Sequence, residues 1–202
     1  MLPVADRASV KAASSPPIHP SRMQTGTLWT IGHSTRPWVE FTALLRESGI
    51  ETIADVRRHA GSRRNPQFAP EAMTPALAEA GIRYWPLPAL GGRRKAMPDS
   101  PNSAWRVEAF RGYADYMAST EYIHARDALM QTALHERTCV MCAEAVWWRC
   151  HRRLIADDFV ARGWNVFDVL APGKVEPHAL NPDAVLVDGV LRYPGPQASL
   201  QL

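Results

Sequence analysis

The chain has 202 residues, of which 46% are hydrophobic and 21% are charged, and its formal net charge is +3. This length suits one globular domain, and no segment approaches the roughly 18 consecutive apolar residues of a membrane-spanning helix, so we expect no membrane partner. A net charge this small does not by itself identify a nucleic-acid-binding protein.

The two ends of the chain lack the periodicity of regular structure. Residues 1–25 are rich in Ser, Pro and Ala and predict a flexible tail, in which Met23 is an alternative start to Met1. Residues 194–202 predict a second tail, which leaves a folded domain at 26–193. An odd count of 3 cysteines, with no apolar signal segment, argues against a secreted disulfide framework and favours the cytoplasm.

Between these tails, strand and helix patterns alternate. Apolar runs predict strands at 27–34, 51–57, 82–88, 138–144 and 164–170. Start and stop signals predict helices from Ser34 or Thr35 to Gly49, from Thr74-Pro75 to Gly81, in two pieces within 105–137, and over 151–163. Asp188-Gly189 between two apolar runs predicts a C-terminal hairpin.

This order of elements predicts an α/β fold. We expect a single open three-layer domain with a mostly parallel sheet, helices on both faces, and the C-terminal hairpin. A (β/α)₈ barrel is disfavoured because it typically needs about 250 residues. Open parallel sheets bind ligands in a crevice outside the carboxyl ends of their strands, so the residues that follow each strand are the candidates for function.

Polar and reactive residues cluster at these strand ends. After the first three predicted strands, or at their ends, lie His33, Ser34, Asp55, Arg57, Arg58, Ser62, Arg63, Gly91 and Gly92. Arg93, Arg94 and Lys95 also follow the third strand, and after the fourth strand lie Cys142, Glu144, Arg149, Cys150, His151, Arg152 and Arg153. Because several of these loops are basic, we predict an anionic ligand, either a small molecule or a nucleic acid. The alternative is that the basic loops are simply solvated.

Four motifs follow one another along the chain: TIGHS at 30–34, DVR at 55–57 with GSRRNPQF at 61–68, YWPLPALGG at 84–92, and CAE…CHR at 142–144 and 150–152. In this order they resemble the DUF488 family, a domain of unknown function. The resemblance covers most of 28–170 and implies a compact cytoplasmic α/β domain, but no activity. The spacer Ala-Val-Trp-Trp-Arg that follows Glu144 is unusually aromatic, and it either stacks on a ligand or packs on the protein.

Cys142 and Cys150 are the most specific chemical features. Cys150 lies at the predicted start of a helix and beside several cationic residues, so we expect its thiol pKa to be lowered. Cys142 lies near Glu144, a carboxylate that disfavours a thiolate but suits proton transfer. Buried packing of both thiols, a disulfide between them, and metal binding remain as alternatives.

Neither a metal nor a cofactor is predicted. Cys139, Cys142, Cys150 and His151 read C-x₂-C-x₇-C-H. However, the first two lie in one predicted strand, where an odd separation sends their side chains to opposite faces and keeps both thiolates from reaching one ion. The chain also contains neither G-x-x-x-x-G-K-[ST] nor G-x-G-x-x-G, so the standard nucleotide-binding loops are not supported.

The first functional hypothesis is a cysteine-dependent hydrolase or transferase that acts on a phosphate-bearing or otherwise anionic substrate. Cys142 or Cys150 supplies the thiol, while Glu144 and His33 move protons. Asp55 either orients His33 or pairs with Arg57. The predicted anion contacts are Arg57, Arg58, Arg63, Arg152, Arg153 and the Gly91-Gly92 backbone.

Two other hypotheses remain open. A nucleic-acid or nucleotide binding module would use the same arginines with Trp147-Trp148 for stacking. A thiol redox protein is the third. The oligomeric state is not predicted.

Overall fold

The computed structural model describes residues 25–61 and 63–195. In chain order its strands and helices are β1 Thr27–Gly32, α1 Trp38–Glu47, β2 Thr52–Asp55, α2 Pro70–Glu79, β3 Arg83–Pro86, α3 Glu108–Tyr116, α4 Thr120–Ala133, β4 Thr138–Cys142, α5 Arg152–Ala161, β5 Asn165–Ala171, β6 Lys174–Pro177, β7 Val185–Val187 and β8 Val190–Arg192. The predictions for Ser62, for Met1 and Met23, and for most of the two tails lie outside the described residues.

The main sheet has the strand order β3-β2-β4-β1-β5-β6. Strands β1 to β5 pair in parallel, and β6 pairs with β5 in the antiparallel direction. Strands β7 and β8 form a separate antiparallel hairpin with Asp188 and Gly189 at its turn. The structure therefore confirms the predicted α/β class, the mostly parallel sheet and the C-terminal hairpin.

Helices cover both faces of the sheet, and each face has its own apolar core. Side chains alternate along β4, so Val140 and Cys142 lie in one core while Cys139 and Met141 lie in the other. The core that contains Cys142 packs against α3, α4 and α5, and the core that contains Cys139 packs against α1 and α2. None of the described helices has the length and apolar content to cross a membrane.

Two local predictions were wrong, and one strand was missed. Helix α1 begins after Pro37 rather than at a Ser34 or Thr35 cap. Helix α2 begins at Pro70, which takes the first helical position, so Pro75 lies inside the helix. The edge strand β6 was not predicted because its four residues are all exposed and show no apolar alternation.

A buried imidazole joins β5 to α5. His178 contacts Asp168 through Nδ1 at 2.7 Å and Asp157 through Nε2 at 3.1 Å. The Asp168 carboxylate also accepts a hydrogen bond from the Thr30 hydroxyl, and the Asp157 carboxylate accepts one from the Tyr193 hydroxyl. Burial lowers the pKa of His178, but the hydrogen bonds to both carboxylates outweigh burial and raise the pKa to about 9. The ring is therefore an imidazolium at neutral pH.

Candidate functional site

A pocket of about 240 Å³ opens at the carboxyl end of the sheet. The loops after β2, β3 and β4 line it, together with α3. The buried Cys142 and Cys150 form its inner wall with the half-buried His151. The exposed polar side chains among its lining residues are Arg58, His59, Arg93, Glu144 and Arg149. Residues that follow three of the four predicted strand ends, those of β2, β3 and β4, thus line one pocket, whereas His33 and Ser34 after β1 do not.

Cys142, Cys150 and His151 form a compact cluster. Cys142 is the last residue of β4, Cys150 follows the short turn Trp147–Arg149, and His151 precedes α5. The Nδ1 atom of His151 lies 3.8 Å from the Cys142 sulfur and 3.6 Å from the Cys150 sulfur. All three cysteines of the chain are free thiols. As predicted, Cys139 faces the opposite core and does not belong to this cluster.

The two clustered thiols have opposite acidities. A hydrogen bond from Cys150, together with the nearby His151, lowers the pKa of Cys142 well below its usual range, although burial opposes this effect. Burial, followed by the hydrogen bond to Cys142, raises the pKa of Cys150 well above its usual range. The direction for Cys150 is thus opposite to the lowered pKa that the sequence led us to expect, because burial of this thiol outweighs its cationic neighbours.

Arg152 holds the loop that follows β4. It is the largest fully buried side chain among the described residues. Its two Nη atoms donate to the carbonyl oxygens of Glu144 and Ala145. A Cβ atom on Gly32 would lie 1.7 Å from the same Glu144 carbonyl, so only glycine allows β1 to approach this loop. The predicted anion contact of Arg152 does not fit these contacts, because the guanidinium is used inside the protein.

Arg57 is also used inside the protein. Its Nε and Nη2 atoms donate to the two Asp55 carboxylate oxygens at 2.8 and 2.6 Å, and Nη2 donates to the Phe68 carbonyl at 2.8 Å. Its Nη1 atom lies 3.1 Å from Nε2 of His33. Of the two roles predicted for Asp55, the structure shows the pairing with Arg57, which in turn contacts His33.

The contacts of His33 do not fit a general base. Burial lowers its pKa, so the ring is neutral at pH 7. Nδ1 lies 2.8 Å from the Ser34 carbonyl oxygen. Because a carbonyl oxygen can only accept a hydrogen bond, we assign the ring proton to Nδ1. The remaining Nε2 atom accepts from Arg57 and has no lone pair left for a substrate. His33 is a structural group beneath the site.

The predicted site residues divide into two groups. Those that line the pocket are Arg57, Arg58, Gly92, Cys142, Glu144, Cys150 and His151. Those that lie elsewhere among the described residues are His33, Ser34, Asp55, Arg63, Gly91, Arg152 and Arg153. The guanidinium of Arg153 lies over the rings of Trp105 and Trp147 rather than in the pocket.

The tryptophan pair after β4 has two different environments. Trp147 packs edge-on against His178, with ring centroids 4.7 Å apart. Trp148 is 47% exposed. The first ring therefore packs on the protein, while the second is open to solvent.

Several pocket residues were absent from the predicted set. They are His59, Ala109, Phe110 and Ala143. Arg93 and Arg149 were predicted only as basic residues of the loops after the strands, and His59 adjoins Arg58 in such a loop, so loop position was a usable signal for all three. Ala109 and Phe110 lie in α3, which follows a long loop, and no local pattern indicates that this helix returns to the sheet edge.

Gly92 provides space for His151 rather than only offering a backbone N–H. A Cβ atom at this position would lie 2.7 Å from Nδ1 of His151. We expect Gly92→Ala to push the ring away from both sulfurs. The imidazole then lowers the Cys142 pKa less. The alkylation midpoint of Cys142 should then move to higher pH, with a stability loss of about 1–3 kcal/mol from overpacking.

Gly61→Ala is the matched control for this change. An added Cβ at Gly61 meets no atom within 4 Å. It should change neither the alkylation midpoint nor the stability. An unchanged midpoint in Gly92→Ala would show that His151 does not set the acidity of Cys142.

Comparison with known proteins identifies a family but no activity. A family model described as "Domain of unknown function DUF488" matches residues 37–159. The match includes β2, β3, β4 and most of α5, and thus the loops that line the pocket. No curated protein and no solved structure was found to match the chain.

Proposed function

Because this chain belongs to the DUF488 family, to which no activity is assigned, we propose a function from the pocket itself. The protein is an enzyme that uses Cys142 as a nucleophile on a small anionic substrate. The observation that carries this proposal is the position of Cys142: its sulfur faces a pocket, 3.8 Å from an imidazole nitrogen, beneath an arginine rim. A thiol beside a histidine is a common form of activated nucleophile.

The pocket favours a small substrate. Its volume of about 240 Å³ is below the about 300–1,000 Å³ of sites for drug-sized ligands. Arg58, Arg93 and Arg149 are exposed at its rim and suit a phosphate or carboxylate group. These three arginines replace Arg57, Arg63, Arg152 and Arg153 as the proposed anion contacts.

The proposed reaction has two steps. In the first, the Cys142 thiolate bonds to the electrophilic atom of the substrate, and the leaving group departs with a proton from His151 or Glu144. In the second, water or another acceptor gives its proton to the same His151 or Glu144, bonds to the electrophilic atom and breaks the bond to sulfur, which restores the thiolate. Water as the acceptor makes the enzyme a hydrolase, and any other acceptor makes it a transferase. Because the mechanism needs a free thiolate, the proposal places the protein in a reducing compartment such as the cytoplasm.

The test is alkylation of the native protein by iodoacetamide between pH 5 and pH 10, with each cysteine followed by peptide mass spectrometry. We expect Cys142 to react with an apparent pKa below the about 8.5 of a free cysteine. Cys139 and Cys150 should be slow, because both are buried and burial raises the pKa of each thiol. Cys139→Ser should leave the profile unchanged, and Cys142→Ser should remove the fast reaction.

The anionic substrate is tested in the same experiment. Inorganic phosphate should protect Cys142 from alkylation, and Arg149→Ala should weaken this protection. If Cys142 reacts no faster than an ordinary thiol while phosphate still binds, a non-catalytic binding module replaces the enzyme. If phosphate neither binds nor protects, the anionic substrate is wrong.

A further inference from the structure

The donor atoms of Cys142, Cys150 and His151 have the spacing of metal ligands. The two sulfurs and the imidazole Nδ1 all lie within 4.8 Å of one another. The sulfur–nitrogen distances are 3.6 and 3.8 Å. In a tetrahedral zinc site, bonds of about 2.3 Å to sulfur and about 2.0–2.1 Å to nitrogen place sulfur and nitrogen about 3.6 Å apart. The three atoms therefore sit near three corners of such a tetrahedron.

The surroundings leave the fourth corner open. Among the described residues, no other carboxylate, imidazole or thiol belongs to this group of donor atoms. The three residues line the pocket, so a fourth ligand would come from solvent or from the substrate. Three protein ligands and one open position are typical of catalytic rather than structural zinc sites.

The charge of the ligands also suits a divalent cation. Two thiolates neutralise a divalent ion, so the loaded cluster carries no net charge. The arginine rim then favours an anion as the fourth ligand.

We propose that Cys142, Cys150 and His151 bind Zn²⁺, with the fourth coordination position facing the pocket. Two zinc–sulfur bonds and one zinc–nitrogen bond form, the thiol protons leave to solvent, and no residue changes its oxidation state. This site goes beyond the proposed nucleophile, because a bound ion occupies the Cys142 sulfur and blocks its alkylation. The proposed reaction therefore belongs to the metal-free protein, and zinc inhibits it. The sequence argument against a metal concerned Cys139, which this site does not use.

The test is a titration of the full chain, first treated with a chelator and reductant, with Co²⁺ as a spectroscopic probe. We expect a thiolate-to-cobalt charge-transfer band and the visible bands of tetrahedral cobalt, both saturating at one equivalent. Zn²⁺ should displace the cobalt, since zinc binds such sites more tightly. One equivalent of Zn²⁺ should also slow iodoacetamide alkylation of Cys142 at least tenfold.

Variants identify the ligands. Cys142→Ser, Cys150→Ser and His151→Ala should each weaken cobalt binding at least tenfold. Cys139→Ser is the matched control, because this thiol lies in the opposite core, and it should bind cobalt like the unaltered chain. No charge-transfer band in the unaltered chain would overturn the site, and so would a band that persists unchanged in all three ligand variants.

The failure of this site and the failure of the proposed function give different results. If Cys142 is fast to alkylate but no cobalt binds, the metal site is wrong and the nucleophile stands. If cobalt binds with the expected ligands but metal-free Cys142 is slow to alkylate, the metal site stands and the nucleophile is wrong.

Discussion

Replacing Arg57 by Ala is expected to destabilise the protein by about 3–5 kcal/mol, the range for removing one partner of a buried ion pair. The side chains of Arg57 and Asp55 are 5% and 1% exposed. Without the guanidinium, the Asp55 carboxylate stays buried beside only the Tyr84 hydroxyl and a backbone N–H. The Phe68 carbonyl and His33 also lose a donor. Urea denaturation followed by circular dichroism measures the loss.

Two further variants make this prediction specific. Arg58→Ala changes the next residue, whose side chain is exposed, and should alter stability by no more than about 0.5 kcal/mol. The double variant Asp55→Ala/Arg57→Ala should lose less than the sum of the two single losses, because the second change no longer strands a buried charge. A loss below about 1 kcal/mol in Arg57→Ala would contradict the structural role of this ion pair.

Stability is also expected to fall as the pH rises from 6.5 to 9, because of His178. The native ring keeps its proton up to about pH 9, whereas the unfolded ring releases it near its ordinary pKa of 6.5. The contribution of the imidazolium is therefore complete below pH 6.5 and lost above pH 9. A shift of this size corresponds to about 3 kcal/mol of unfolding free energy. Urea denaturation at several pH values measures it.

The measurement requires a background without Cys142. A thiol whose pKa is lowered in the native state adds stability as the pH rises, which opposes the effect of His178 in the same window. We therefore compare Cys142→Ser with Cys142→Ser/His178→Gln. The first should lose stability between pH 6.5 and pH 9, and the second should show a much flatter profile. Equal slopes in both would refute the buried imidazolium.

Most of the fold was predictable from local patterns. Apolar runs located β1 to β5, and the predicted division of 105–137 into two helices is present, with Ser119 between them accepting from the Tyr122 backbone N–H. The opposite orientation of Cys139 and Cys142 follows from the two-residue period of a strand. The errors lie where a local signal is ambiguous or absent: two Pro residues compete for the start of α2, and β6 has no apolar pattern.

The edge of the sheet at which the site forms was determined by the sequence itself. Reactive residues follow strands that run in parallel, and parallel strands end at one edge, so their loops meet there. The family resemblance on the same motifs is confirmed, because the matched residues 37–159 contain these loops apart from the segment after β1.

The role of each residue at that edge was decided only by the tertiary structure. Arg57 and Arg152 resemble Arg58 and Arg149 in the sequence, yet the first two guanidinium groups are buried and bonded to the protein, while the other two are exposed at the rim. The pKa directions of the two thiols likewise depend on the burial of each sulfur and on the groups that the fold places beside it. Hydrogen bonding and burial depend on distances between residues remote in the chain, and local periodicity does not encode those distances.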